Sequence, residues 1–324
     1  MHASADPLFK SGLSKPRLVI LGAGESGVGA AVLAKQKGYE VFVSDGGAIK
    51  ENFKAELLQH NISFEEGTHT EATILNAHEV MKSPGIPEKN EMVKKIRAKG
   101  IPVISEIEFA YRYKGNSKII AITGTNGKTT TTALTYHICK HGGADCAMVG
   151  NIGYSFARQV ALEPKALYVV EVSSFQLDDI DTFRPDVAIL TNITEDHLDR
   201  YEYAMINYIN SKFRIVENQH PGDLFIYCMD DEITNRHIKN YSIKSTLYPI
   251  TMSKELPEGA YISNSMLHLK WKSEEVEMNI KDFALKGKHN QYNGMAAGAA
   301  SVAVDIKKEH VRDCLLYTSD AADE

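Results

Sequence analysis

The run "IIAITGTNGKTTTTAL", Ile119 to Leu134, constrains this chain more than any other stretch. An apolar segment that reads as a buried strand breaks into a glycine-bearing turn and resumes as a helix beginning near Lys128. In that order the first amides of the helix converge on the turn, which is an arrangement that binds phosphate oxygens. Lys128 adds a point charge and Thr129 a hydroxyl suited to Mg²⁺. The common pattern G-x-x-x-x-G-K-[ST] is not met, because its first glycine would fall on Ile122. Gly124, Thr125, Asn126, Gly127, Lys128, Thr129 and Thr130 instead make a shorter variant. The plain alternative is a tight turn that binds nothing; lysine and threonine in register argue against it.

At 324 residues the chain can bury more than one core, so two or three domains are expected. The net charge of -6 and the lack of a Lys/Arg block argue against a nucleic-acid or anionic-membrane partner and favour a small acidic ligand. "MHASADPLFKSGLSKP" has no apolar h-region, and no apolar run reaches the roughly 18 residues of a membrane span. Cys139, Cys146, Cys228 and Cys314 show no C-x-x-C spacing, which suits reduced thiols. A cytoplasmic monomer is the expectation.

The αβ alternation occurs twice. "RLVIL", glycines, a helix from Val28 to Lys37 and "EVFVSD" form a β-α-β unit, which implies a parallel sheet. "SPGIP" is a turn, "EMVKKIRAKG" a helix stopped by Gly100, and "IPVIS" a strand. After the polar "KGNS" the alternation restarts with "KIIAI", "ALYVVEV" and "DVAILTNI". Tyr261 to Asn279 alternates like exposed hairpin strands, and a helical run follows from Gly294 to Val311. The expected fold is α/β: a Rossmann-like parallel-sheet domain over 1–114, then a P-loop ATPase-type α/β domain over 115–313 with a small antiparallel portion. "CLLYTSDAADE", 314–324, reads as a translated adapter and is excluded from the expected fold.

Three further segments bear chemistry. Glu171, in "EVSSFQL", falls just after an apolar strand, at the carboxyl end where open α/β sheets bind ligands and where a carboxylate can hold Mg²⁺. His197, in "TNITEDHLDRY", follows a strand in the same way, and on its own reads as an ordinary loop histidine. Asn290 and Asn293, in "GKHNQYN", stand near a helix start, where capping is the simple reading of Asn290.

Together these segments resemble the Mur ligase family, from Val19 to about Val311. "TGTNGKTT" marks the wider family, whereas "GNIG", "EVSSFQL" and "NITEDHLDRY" are similar to its D-glutamate-adding branch. The resemblance implies an ATP-dependent amide ligase of peptidoglycan synthesis, joining D-glutamate to UDP-N-acetylmuramoyl-L-alanine through an acyl phosphate. It implies ATP on the Gly124–Thr130 loop with Asn290 and Asn293 at the adenine, and Asn151 and Ser173 near the muramoyl group. Two Mg²⁺ follow from it: one on Thr129 and Glu171, the other on His197 and on Lys212, the lysine of "SKFRI", as a carbamate. Lys128, Glu171, His197 and Lys212 are then the catalytic set. Family members carry a third, C-terminal α/β domain that is not seen after Val311, so poor turnover by the chain alone is expected.

"GAGESG" (Gly22, Gly24, Gly27), followed by Asp45 at the next strand end, also satisfies a dinucleotide fingerprint, and a nicotinamide-dependent oxidoreductase is the rival reading. The resemblance instead implies that this turn takes the UDP of the substrate. Ser26, Asp45 and Gly46 would lie on the uridine side and Ser83, Pro84 and Gly85 near the diphosphate. Glu25 would face an anion and ranks below Ser26.

Overall fold

The computed structural model describes residues 15–272 and 274–317. Two compact units arise, and they are not linear in sequence. The first holds the described residues up to Asn116 together with Val149–Pro164 and Phe175–Phe183; the second holds Ser117–Met148, Lys165–Ser174 and the described residues from Arg184 onward.

In the first unit, β1 (Arg17–Leu21), β2 (Glu40–Asp45), β3 (Ser63–Glu66), β4 (Glu79–Lys82) and β5 (Val103–Ile104) make a sheet of order β3-β2-β1-β4-β5. Every pairing is parallel. The winding reverses between β1 and β4, so a crevice opens at the carboxyl ends of these two strands, where such sheets bind ligands. The helix after β1 runs Glu25–Gln36, three residues earlier than its apolar pattern suggests, because Gly24 serves as N-cap. Its Val28 to Ala34 are all buried. The helix Glu91–Ala98 is capped by the Asn90 side chain, which accepts from the Met92 amide at 2.9 Å. "IPVIS" yields only two strand residues, since Ser105 leaves the sheet to cap the helix Glu106–Tyr113.

The second unit is built on β6 (Lys118–Thr123), β7 (Cys146–Gly150), β8 (Leu167–Glu171), β9 (Val187–Leu190), β10 (Leu224–Cys228), β11 (Thr246–Thr251), β12 (Gly259–Ser263), β13 (Met266–Trp271) and β14 (Glu274–Asn279). Their order is β14-β13-β12-β11-β10-β9-β6-β8-β7. β6 pairs in parallel with both β8 and β9, so here too the winding reverses, beside the strand that carries the phosphate-loop motif. Ile120, Ile122, Val169 and Ile189 from the sheet meet Leu134, Ile138 and Met295 from the helices Lys128–His141 and Lys288–Ala303 in one core.

β12, β13 and β14 are antiparallel, as the alternation predicts, but only one face is solvated. Leu267, Leu269, Val276 and Met278 point into the core; the hairpin is half-buried because a helix layer covers it. The helical run after Gly294 is interrupted near Asp305 (φ 72°) and resumes as Lys308–Tyr317. Cys314 and Leu315, which the sequence reading excludes from the fold, are 4% and 1% exposed in that core. They continue the apolar helix face begun by Val311, so the packing accepts them whatever their origin. Residues 318–324 of the same segment lie outside the described residues. Among the described residues, no helix is long and apolar enough to cross a membrane. All four cysteines are free thiols, and burial pushes each upward, Cys139 to about 12 and Cys146, Cys228 and Cys314 to about 11.

Candidate active site

The phosphate-loop motif sits at the carboxyl end of β6 and is laced to the segment after β9. Gly124 adopts φ +146°, and a Cβ there would stand 1.9 Å from Thr191 Oγ1, so only glycine fits. Thr191 Oγ1 and Asn192 Nδ2 both donate to the Asn126 carbonyl, at 2.7 and 2.9 Å. The Asn126 amide donates to Asn192 Oδ1 at 2.9 Å, and the Thr125 amide to the Asn192 carbonyl at 2.9 Å. Gly127, left-handed at φ 82°, caps the helix without a side-chain acceptor. The first intrahelical bond runs from the Thr131 amide to the Gly127 carbonyl. The amides of Lys128, Thr129 and Thr130 therefore have no acceptor within their own helix and mark its positive end, which fits a phosphate.

Lys128 reaches back over this loop, its Nζ donating to the carbonyls of Gly124 (3.0 Å) and Thr125 (2.9 Å). Burial lowers its pKa, against the opposing charges of Glu171 and Asp196. Glu171 ends β8 in register with Ile122 of β6 and is 1% exposed; its Oε2 accepts from Thr129 Oγ1 at 2.9 Å. A hydroxyl beside a carboxylate, facing the phosphate loop, is an oxygen donor set that fits Mg²⁺.

Lys212, on the helix Met205–Phe213, is buried, with Nζ donating to the Gly124 carbonyl at 2.6 Å and 4.5 Å from the centre of the Tyr208 ring. As an ammonium it donates and cannot ligate a cation. His197 occupies a left-handed position (φ 51°) in the loop after β9, exposed, with Nε2 3.4 Å from Asp196 Oδ2. The structure does not gather His197 and Glu171 into a larger ligand cluster. Among the described residues, the His/Cys/Asp/Glu group of three or more whose ligand atoms converge within 4.8 Å is His268, Glu275 and Glu277, on the hairpin. Ser173 stands two residues after Glu171 and is half-buried.

A cavity of about 550 Å³ opens beside the loop, walled by Asn126, Gly127, Asn192, Asp230, Tyr292 and Asn293. Asn293 Oδ1 accepts from Thr131 Oγ1 at 3.3 Å, and its Nδ2 donates to Asn290 Oδ1 at 3.3 Å. Asn290 in turn donates to the Lys286 carbonyl at 3.0 Å. Asn293 thus reaches the cavity, while Asn290 supports it from behind. Asp230, Asn192 and Tyr292 were not visible as site residues in the sequence; the position of the first two, just past an apolar strand, is the signal that could have found them.

In the first unit, the glycine turn after β1 and the turn after β4 meet. Ser83 Oγ donates weakly to the Gly22 carbonyl at 3.4 Å. Gly27 lies so close to the turn that a Cβ would be 1.9 Å from the Gly22 oxygen. The Glu25, Ser26 and Gly27 amides open the helix, the first intrahelical bond being Val28 amide to Gly24 carbonyl. Asp45 stands at the end of β2 but directs its oxygens at the Ala23 amide (2.7 Å) and the Gly47 amide (2.8 Å), bracing the turn. Gly46 is exposed beside it, as is Gly85 beside half-buried Ser83 and Pro84. Glu25, which would be awkward facing an anion, is held by Arg158 at 2.6 and 2.7 Å and accepts from the Ser155 amide. Ser26 is half-buried, and Asn151 is exposed on the segment after β7.

Residues 122–301 match the Mur ligase middle domain and residues 17–92 the MurD N-terminal domain. The second match contains the whole Gly22–Gly27 turn and removes the oxidoreductase alternative. The UDP-N-acetylmuramoylalanine–D-glutamate ligase of Bacteroides fragilis is 50% identical over 301 residues, 92% of this chain and 67% of that protein. The enzyme of the same name from Salinibacter ruber is 36% identical over 310 residues, 93% of this chain and 67% of that protein. Among solved structures, a UDP-N-acetylmuramate:L-alanyl-gamma-D-glutamyl-meso-diaminopimelate ligase from Neisseria meningitides shares the fold with TM-score 0.64 at 18% identity, covering 94% of this chain and 98% of that one. The UDP-N-acetylmuramate-alanine ligase of Thermotoga maritima gives TM-score 0.53 at 19% identity, over 93% of this chain and 68% of that one. With two domain matches and half-identical relatives over nine-tenths of its length, the chain belongs to the Mur ligase family of ATP- and Mg²⁺-dependent amide ligases.

Proposed function

We propose that the chain adds D-glutamate to UDP-N-acetylmuramoyl-L-alanine at the expense of ATP. The observation that carries this reading is the 50% identity to a D-glutamate ligase over 92% of the chain. The reading assigns UDP to the Gly22–Gly27 turn with Ser26, Asp45, Gly46 and Ser83–Gly85, and the muramoyl group to Asn151 and Ser173.

A carboxylate is a poor acyl electrophile. In the proposed reaction its oxygen takes the γ-phosphoryl group, ADP leaves, the amine of D-glutamate attacks the acyl carbon, and phosphate departs as the amine loses a proton. The Lys128–Thr130 amides and the Lys128 ammonium orient the triphosphate and offset the repulsion between two anions. Thr129 and Glu171 would hold Mg²⁺, which would supply positive charge to offset that developing on the phosphate oxygens. A second ion on His197 and Lys212 requires Lys212 to be carbamylated, since only then does it offer oxygen ligands. Positioning and electrostatics carry the rate, with no covalent protein nucleophile.

The test is phosphate release with ATP and the UDP-muramoyl substrate while amino acids are scanned. Release that responds to D-glutamate alone supports the reading; release that ignores it and follows L-alanine or a diamino acid moves the chain to a sister activity. Lys128→Ala is expected to abolish ATP-dependent release with the thermal melt unchanged.

A further inference from the structure

The cavity beside the phosphate loop contains an acid whose lone pairs are already taken. Asp230 Oδ1 accepts from Thr251 Oγ1 (2.7 Å) and Ser253 Oγ (2.6 Å). Its Oδ2 accepts from the Met252 amide (2.7 Å) and the Tyr292 hydroxyl (2.7 Å). Burial alone would raise this carboxyl, but the four donors outweigh it and hold the pKa at about 2. The neighbouring Asp231 turns its Oδ2 to the Thr234 amide at 2.9 Å to cap the helix Glu232–His237. Asp230 therefore borders the cavity without offering the usual acceptor for an exocyclic amine.

Tyr292 is different. It stands on the helix Lys288–Ala303 one residue before Asn293, packs partly on the core, and has its hydroxyl fixed by an acceptor that cannot turn elsewhere. Its ring borders the same cavity as apolar Cys228, Ile250 and Ala296. A flat base needs an apolar face against it, and an aromatic ring held by its far end supplies one at low entropic cost.

We infer that Tyr292, tethered by Asp230, is a stacking wall for the base of the nucleotide, and that Asp230 is a positioning residue that takes no hydrogen bond from the ligand. The inference rests on the reading that the nucleotide's phosphates lie on the Gly124–Thr130 loop. That loop and the cavity share Asn126 and Gly127, so a base attached to phosphates held there reaches the wall directly.

The experiment measures binding of ATP, GTP and inorganic tripolyphosphate, each with Mg²⁺, to the wild-type chain and to Tyr292→Ala and Tyr292→Phe. Tyr292→Ala is expected to weaken ATP roughly tenfold and to leave tripolyphosphate within about twofold, since that probe has no base. Tyr292→Phe keeps the ring but loses the tether to Asp230; it is expected to lose roughly threefold for ATP, and for GTP alike. Equal weakening of ATP and tripolyphosphate, or no change for either in both variants, overturns the inference. Wild-type chain that binds tripolyphosphate as tightly as ATP also overturns it while leaving the phosphate-loop reading intact. Failure of the wild type to bind tripolyphosphate overturns the loop reading and the wall together.

Discussion

The buried ammonium of Lys212 donates to the carbonyl of Gly124 at 2.6 Å, tying the helix Met205–Phe213 to the first residue of the phosphate loop. A lysine that sequence alone reads as a solvated helix residue is 1% exposed and sits against the Gly124–Thr130 loop. Lys212→Ala is expected to cost about 1–3 kcal/mol of stability through the lost charged hydrogen bond and packing, read as a lowered urea midpoint. A carbamate at this position is expected as a mass adduct of the native protein in bicarbonate buffer, absent from Lys212→Arg; an unmodified mass under those conditions would remove the second metal site.

The Thr129–Glu171 pair carries the metal prediction. Glu171→Gln keeps the shape and one acceptor but removes the charge that attracts Mg²⁺. Nucleotide affinity measured with Mg²⁺ is expected to fall by roughly tenfold or more, whereas affinity measured in excess chelator should stay near that of the wild type. An equal loss in both conditions would assign Glu171 to the fold rather than to the ion.

Glu106 gives a pH dependence. It is fully buried; burial raises its pKa to about 7, against the Ala157 amide and the Ser155 hydroxyl, both of which donate to Oε1, while Oε2 has no hydrogen-bond partner. The folded state therefore holds a proton that the unfolded chain, with the ordinary carboxyl value of 4.5, releases earlier. Between those values the native state binds more protons, so its contribution to stability is full below the unfolded pKa and is lost as pH rises toward the folded one, by at most about 3 kcal/mol. Glu106→Gln should flatten that slope in chemical denaturation and raise stability at pH 8; an unchanged slope would count against it.

Two glycines of the same turn separate architecture from ligand. A Cβ on Gly27 collides with the Gly22 carbonyl at 1.9 Å, while a Cβ on Gly24 meets nothing within 4 Å. Gly27→Ala is expected to lower the melting temperature by several degrees or more. Gly24→Ala should change stability by no more than about 1 kcal/mol, yet weaken the UDP substrate, whose diphosphate would approach that backbone. Normal affinity in a folded Gly24→Ala protein would move the diphosphate elsewhere.

What the sequence made legible was local. The phosphate loop could be read because strand, glycines, lysine and threonine are contiguous, and Glu171 because an acid directly after an apolar strand has one place to go. Long-range partners were hidden. Nothing near Glu25 announces Arg158, 133 residues away, which removes the charge conflict at the turn. Asp230 and Tyr292 are 62 residues apart and meet only once β10 and the helix Lys288–Ala303 are packed. The alternation of the hairpin fixes which residues share a face but not that a helix covers it, and the compositional oddity of Cys314–Leu315 says nothing about whether they are apolar enough to pack.

β6 is hydrogen-bonded on both sides, and Ile119 to Thr123 are wholly shielded from solvent. The glycine loop is thus rooted in a strand whose amides are expected to exchange among the slowest of the second unit. A root of this kind fixes where the loop's amides point, and its lacing to Thr191 and Asn192 carries the same rigidity into the start of the segment after β9.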